Sequence, residues 1–296
     1  MEYFFAKEGC KRMKIVGKCI LCEGKEFLEM PYYYVYLGHT IKMIKCRKCG
    51  LATLNPMLSE REVRALYTTD YFEKDFRCGF SEPYKDAALR IKDEFLCHQL
   101  REIKQLVPRG KVLEIGCAGG GVLLAFKESG YQACGVEVNQ DIAKWGKNNL
   151  KVNILVGTLH EQDFLSSFFD VVYTGDLIEH IRDPIAFLRK VNFILKNKGI
   201  LAIDLPFEIN SLFARFCQKL RIVRKKPYKP YHLYSYVPET LRTLFKTCGF
   251  QMLLFKQNKI FRKHSWMGII DLPNYLLTQV INDFGDRGFV IAQKKG

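Results

Sequence analysis

The sequence predicts an α/β protein: a mostly parallel sheet covered by helices on both faces, preceded by a small four-cysteine module. Two observations carry this. From Lys111 onward, short apolar strand-like runs alternate with helical stretches, the pattern of βαβ units. Residues 15–54 are instead rich in cysteine, tyrosine and lysine, with two Cys-x-x-Cys pairs among short β-like runs. At 296 residues the chain is long enough for one large domain and one appendage.

Element by element, Tyr32–Tyr36 and Thr40–Ile44 read as strands of the module. Ser59 and Glu62 have capping-box spacing and start a helix. Leu89, Ile91, Phe95, Leu96, Leu100, Ile103 and Leu106 recur at helical spacing, and Pro108-Arg109-Gly110 stops that helix. Val112–Ile115 is a strand, and the helix after it ends at Gly130. Ala133–Val138, Asn153–Val156, Asp170–Thr174 and Ile200–Leu205 are further strands, with helices at Asp141–Asn149 and Pro184–Leu195. After Leu205 the alternation breaks. No acid lies between Glu208 and Glu239, while Arg215, Lys219, Arg221, Arg224, Lys225, Lys226 and Lys229 accumulate. A helix from Pro238 to Cys248 and two strands, near Phe250–Lys256 and Gly288–Gln293, complete the chain.

Apolar residues make up 48% and aromatic residues 13%, which excludes a disordered chain. A formal charge of +15 points to an anionic partner (phosphate, nucleotide, RNA or acidic membrane) or to a generally basic surface. Met1–Lys7 lacks a cationic segment followed by an apolar run, so no secretion signal is expected. The apolar stretch Trp266–Ile281 is interrupted by Asp271 and Pro273 and falls short of the roughly 20 residues of a membrane span. A cytoplasmic location is expected. Eleven cysteines then imply metal ligation and buried thiols rather than disulfides.

Cys19 and Cys22, then Cys46 and Cys49 after 23 intervening residues, form two knuckles whose thiolates can occupy a tetrahedron. The expected ligand is structural Zn²⁺. With all four positions filled by cysteine no site is open for catalysis. Gly50 permits the left-handed turn of the second knuckle, and Lys18, Lys45, Arg47 and Lys48 offset the tetrathiolate charge.

Leu113 to Gly121 (LEIGCAGGG) runs from a strand into a helix, where small residues let backbone approach a ligand. Glu137, ending the next strand, can accept from two ribose hydroxyls, which fits any nucleoside cofactor, NAD included. Two details favour S-adenosylmethionine. Ala118 stands where a dinucleotide fingerprint has its second glycine, and Glu114 precedes Gly116 by two residues. An acid there suits a sulfonium and an ammonium and is unfavourable beside a pyrophosphate. Alternatively, Glu114 caps local amides.

Phe169 to His180 (FDVVYTGDLIEH) resembles the motif FDxVxxxDxxEH of the class I methyltransferases. Ile181-Arg182-Asp183-Pro184, Leu195–Leu201 and Gly285–Ala292 continue the resemblance from about residue 85 to 296. It implies a Rossmann-like sheet of seven mostly parallel strands with an antiparallel last strand. It also implies that Glu114, Gly116, Cys117, Ala118 and Gly120 line the methionine and ribose end of S-adenosylmethionine, with Glu137 and Val138 at the ribose. Thr158 and Leu159 would flank the adenine, and Gly175 and Asp176 the far side. Many relatives have Asp where Thr158 stands. The implied organisation is a zinc-ribbon-like module at 1–55, a helical linker and first helices at 56–110, and the methyltransferase domain at 111–296. Within that domain, 206–237 reads as a basic cap insertion and 258–284 as an apolar one, a lid or dimer surface.

For the acceptor, His180 follows the fourth strand on the ligand-binding edge, and an imidazole suits proton acceptance near neutrality. A loop-capping role for Glu179-His180 stays equally open. His232, Tyr234 and Tyr236 precede the Pro238 helix, where relatives place acceptor-facing residues; lid packing is the alternative. The expected function is methyl transfer, O-methylation favoured, to a small anionic or sugar-linked acceptor in surface-polysaccharide or secondary metabolism. The segment Arg215–Lys229, with Tyr228 and Tyr231, could hold its phosphate or be solvated. An RNA or protein methyltransferase that docks through the zinc module, and a non-catalytic zinc-ribbon binding protein, are the rivals. The sequence does not specify an oligomeric state.

Overall fold

In the computed structural model the chain is described over residues 14–67, 84–207, 209–210, 212–226, 229–258 and 267–296. Tyr228 and Trp266, both singled out above, lie outside these residues, as does the side-chain placement of Ile269 and Ile270.

β1 (Phe27–Tyr36) turns through Leu37-Gly38, both at positive φ, into antiparallel β2 (His39–Cys46). That two-residue turn matches the twist of the strands it joins. β3 (Ala52–Asn55) pairs antiparallel with β2, and Tyr34, Ile41, Met43 and Leu54 are fully buried. α1 (Glu60–Arg64) starts at the expected capping box: Ser59 Oγ accepts from Glu62 N–H, and the Glu62 carboxylate accepts from Ser59 N–H.

The single long helix expected next is two. α2 (Tyr84–Cys97) and α3 (Gln99–Leu106) are separated at His98, at φ −117° and ψ −65°. The break lets Phe95 on one helix and Leu100 and Ile103 on the other enter the same core.

The expected alternation then follows: β4 (Lys111–Ile115), α4 (Gly121–Glu128), β5 (Gln132–Glu137), α5 (Gln140–Asn149), β6 (Ile154–Val156), β7 (Phe169–Gly175), α6 (Pro184–Ile194) and β8 (Leu195–Pro206). Asn139 and Asp183 cap α5 and α6 through their side chains, and Pro184 occupies the first turn, where its missing N–H costs nothing. α7 (Leu212–Lys219), β9 (Arg224–Lys225), β10 (Tyr234–Ser235), α8 (Pro238–Thr247), β11 (Phe250–Asn258), α9 (Met267–Val280) and β12 (Arg287–Lys294) complete the fold.

Seven strands form one sheet in the order β11-β12-β8-β7-β4-β5-β6, and β12, the last strand, runs antiparallel to both neighbours. Alternate residues serve opposite faces. Val112, Val171 and Ile200 pack with Phe95, Ile103 and Phe126, whereas Leu113, Val172 and Leu201 pack with Phe187, Leu188 and Phe245.

The second sheet has the order β10-β3-β2-β1-β9. Both outer strands come from 206–237, the stretch read as a cap insertion of the large domain. The module and that stretch therefore share one sheet, and the module's core is continuous with one face of the large sheet. Among the described residues no helix is long and apolar enough to cross a membrane.

Candidate active site and metal centre

The four expected cysteines converge. Sγ of Cys19 lies 3.5 Å from that of Cys49, Sγ of Cys22 lies 3.5 Å from that of Cys46, and all four sit within 4.8 Å of one another. Zn–S bonds of about 2.3 Å in a tetrahedron require sulfurs a little under 4 Å apart, so the donor set fits Zn²⁺. Gly50 takes a φ of 80°, as its knuckle requires, and its N–H donates to the Cys46 carbonyl.

At the carboxyl edge of β4, Gly116 (φ 72°), Ala118 (φ 46°) and Gly120 (φ 83°) form the left-handed loop into α4. Cys117 is buried beneath it against Gly135, where a Cβ would meet its Sγ at 2.5 Å. Glu114 is buried; the Leu123 amide donates to its carboxylate, yet Oε2 has no hydrogen-bond partner. Burial pushes its carboxyl well above the usual carboxylate range, the Leu123 amide opposes this, and the Glu137 charge adds to it. One amide is thus capped, as the alternative role for Glu114 requires, and one oxygen is orphaned. Glu137 ends β5 and accepts from the N–H groups of Ala118 and Asn139, each at 2.9 Å, which ties the loop to the acid. Burial raises its pKa and these amides lower it. An orphaned buried carboxylate beside a loop of small residues fits a nucleoside ligand bearing positive charge.

The remaining candidates ring this edge. Val138 is half exposed. Thr158 caps a single 3₁₀ turn, its Oγ accepting from Glu161 N–H, and Leu159 is buried beside it. Gly175 ends β7, and Asp176 (φ 47°) follows, ion-paired with Arg287. Arg287 also bridges to Asp204 at 2.8 Å, so the Asp176 charge is already partnered.

His180 and His232 come together on either side of Glu179. Glu179 Oε1 lies 3.7 Å from His180 Nε2 and 4.0 Å from His232 Nε2, and the imidazole rings are 4.8 Å apart. Glu179 is 1% exposed with both carboxylate oxygens lacking hydrogen-bond partners. Burial raises its pKa to about 8, while His232 lowers it and Asp176 raises it. His180 is buried, with Nδ1 2.7 Å from the Tyr67 hydroxyl and 2.9 Å from the Tyr231 carbonyl oxygen. His232 is more open, its side chain 21% exposed. Tyr234 is buried, and its hydroxyl donates to the Arg182 carbonyl. Tyr236 is buried and donates to the Ile178 carbonyl.

In the sequence Glu179 stands within the motif that carries the methyltransferase resemblance, with no role beyond the loop capping it would share with His180. An acid directly beside a candidate base was the available signal. Arg287 and Tyr67 left none, because their partners are distant in sequence. The basic stretch is dispersed: Arg215 pairs with Asp283, while Arg224 and Lys225 lie on the outer edge of the module sheet. Cations gather instead around a cleft of about 620 Å³ between the module and the loop after His180, where Lys14, Lys18, Lys25 and Arg182 surround an apolar floor including Phe27 and Met57.

A seven-stranded sheet of this order, with a glycine loop after its first parallel strand and an acid ending the second, is the Rossmann-like methyltransferase fold. Residues 88–254, more than half the chain, match the methyltransferase domain family, and the chain belongs to that family. Ubiquinone biosynthesis O-methyltransferases from Actinobacillus pleuropneumoniae and Xanthomonas campestris are 26% and 24% identical over 101 and 156 residues. Those matches cover 31% and 49% of this chain and 43% and 64% of the relatives, so the chain spans about half the length of the curated relatives it matches. A structure from Thermotoga maritima, described as an S-adenosylmethionine-dependent methyltransferase and possible histamine N-methyltransferase, superposes with a TM-score of 0.51. It is 19% identical and covers 77% of this chain and all of its own, a likeness of fold alone.

Proposed function

We propose that this chain transfers the methyl group of S-adenosylmethionine to an oxygen of a small anionic acceptor, sugar-linked in the reading the sequence favours. The observation that carries the cofactor is the orphaned, buried Oε2 of Glu114 beside the left-handed loop. When bound, the cofactor supplies a methyl carbon activated by a sulfonium for in-line displacement. Glu114, Gly116, Cys117, Ala118 and Gly120 hold its methionine and ribose end. Glu137 and Val138 hold the ribose, Thr158 and Leu159 the adenine, and Gly175 and Asp176 the far wall.

His232 accepts the acceptor's proton. Its partial exposure supports this, because His180 is held through Nδ1 and Tyr234 is committed to the Arg182 carbonyl. The four cysteines hold a structural Zn²⁺ that organises residues 15–54. The choice of oxygen draws on the relatives named O-methyltransferases. The anionic character draws on the cleft, where Asp183 is the sole acid among the described lining residues and caps α6 through Ala186 N–H.

Calorimetric titration of zinc-loaded protein with S-adenosylmethionine tests the reading. Saturable binding at one site per chain is expected, and no detectable heat would sink it. Labelled methyl transfer to sugar phosphates and nucleotide sugars, compared with uncharged phenols, then tests the acceptor class. Preference for uncharged acceptors would overturn the anionic assignment.

A further inference from the structure

Two helices late in the chain are turned inside out for a surface that faces water. α7 buries the small Ala214 and Cys217 and exposes Leu212, Phe216 and Leu220, a row at four-residue spacing. Ile222 and Val223, just past the helix, are exposed as well. α9 repeats the inversion: Asn274 and Thr278 are buried, whereas Leu272, Leu276 and Val280 are exposed, again four residues apart, with Ile281 following. A surface helix of a globular protein normally turns its large apolar residues inward. Isolated exposed leucines are ordinary, but two inverted rows mark an interaction surface.

The two helices are tied to each other and to the fold behind them. Arg215 of α7 donates to Asp283, just past α9, at 2.7 Å and to Asn210 Oδ1 at 2.6 Å, with its guanidinium 4.4 Å from the centre of the Phe284 ring. Asn210 donates in turn to Gln257 of β11 at 2.7 Å. The Tyr32 hydroxyl of β1 donates to the Ala214 carbonyl, which fixes α7 from behind. The exposed rows therefore sit on anchored elements.

Cations flank the α7 row. Lys219, Arg221, Arg224 and Lys225 are exposed, and no acid lies between Glu208 and Glu239. Arg221 is kept there at an energetic cost. The Ile222 N–H donates to the Cys217 carbonyl and the Arg221 N–H to the Gln218 carbonyl, a Schellman ending that holds Arg221 at a φ of 54°. Glycine suits that position best, yet a cation occupies it.

We propose that α7 and α9 form one face that docks on a bilayer containing anionic lipid. The exposed leucines, Phe216 and the valines enter the interface, and the lysines and arginines meet lipid phosphate. A second copy of the chain fits this face less well, because a two-fold contact would set its cations against one another. Nucleic acid would meet the cations and leave both apolar rows in water. The docking requires neither cofactor nor acceptor.

Flotation of the full-length, zinc-loaded protein with phosphatidylcholine vesicles, with and without phosphatidylglycerol, tests this. Binding to the anionic vesicles is expected, weaker on neutral ones and falling as salt is raised. Phe216→Ser combined with Leu220→Ser should weaken it at least about tenfold, and Leu276→Ser should weaken it too, because both helices share the face. Arg221→Gly relieves the left-handed residue as it removes a charge. It should fold at least as well as wild type and bind about fivefold more weakly. No binding to anionic vesicles, or binding that none of these variants changes, would overturn the proposal. So would a dimer in sedimentation velocity that the Phe216 and Leu220 substitutions dissociate while vesicles stay unbound, which would assign the face to a second copy.

Discussion

The Thr240 hydroxyl donates to the Cys49 carbonyl at 3.1 Å, tying the first turn of α8 to the second knuckle of the four-cysteine cluster. Together with the β3–β10 pairing, this bond makes the module part of the wall that carries His232. Metal loss should therefore be felt there before it is felt at the cofactor loop. Cys49→Ser should lose zinc, measured by mass spectrometry of the native protein, because ligation energy is folding energy for so small a unit. Hydrogen exchange should then show lost protection across 231–236, with S-adenosylmethionine affinity within about threefold of wild type, under 1 kcal/mol. Unchanged protection in a zinc-free variant would separate the module from the acceptor wall.

Burial of Glu179 has a thermodynamic sign. Its folded pKa, about 8, lies above the ordinary value of 4.5, so the folded state holds a proton that the unfolded chain has released. Stability from this group is thus fully present below pH 4.5 and is lost as pH rises through about 8. Glu179→Gln mimics the protonated form at every pH. Relative to wild type it should gain on the order of 2–4 kcal/mol between mildly acidic and alkaline solution, with His232 offsetting part of the full linkage. Thermal melts of both proteins across that range would show this, and parallel curves would contradict it.

The large sheet was legible because each of its signals is local. Apolar runs, the Asn139 and Asp183 caps, the glycines and Pro184 all act within a few residues of where they stand. The cysteine module was legible for the same reason, since its paired spacing has one geometric use. The second sheet was not. β9 and β10 are two residues each and pair with strands about 190 and 180 residues away, and nothing in Arg224-Lys225 or Tyr234-Ser235 marks them as strands. The proposed acceptor side was half legible. His180 and His232 both stood out in the sequence, but their meeting at Glu179 depends on that unseen pairing. The phosphate reading of Arg215–Lys229 followed a run of charge, whereas the cations of the cleft come from two distant segments, Lys14, Lys18 and Lys25 in the module and Arg182 after β7.

Gly146, on α5, allows the helix to touch the left-handed loop after β4. A Cβ there would overlap the Gly119 carbonyl oxygen and lie 2.8 Å from Ile154 Cδ1. Because the overlap is with backbone, relief must come from moving the loop or the helix. Gly146→Ala should cost about 1–3 kcal/mol in chemical denaturation, even though alanine is the better helix former. It should also weaken S-adenosylmethionine binding, since the displaced residue lies between Ala118 and Gly120. A variant as stable as wild type with equal affinity would show that the packing is looser than drawn.

In its proposed cofactor-binding role, Glu114 would tie binding to protons. Unliganded, its buried carboxyl is held well above the ordinary carboxylate range, mainly by desolvation, and one oxygen has no partner. A cationic ligand favours the charged form, so binding should expel a proton wherever the free protein still holds it. Affinity for S-adenosylmethionine should rise with pH until the unliganded group has ionised, then level off. Calorimetry in buffers of differing ionisation enthalpy would count the released proton directly. Glu114→Gln keeps the shape and the Leu123 contact but cannot ionise. It should bind at least about tenfold more weakly at alkaline pH, 1.4 kcal/mol or more, and should show no proton release. S-adenosylhomocysteine, which lacks the sulfonium charge, should lose less from the substitution than S-adenosylmethionine. Equal losses for both ligands would mean that Glu114 serves the loop through its amide cap rather than the charge of the cofactor.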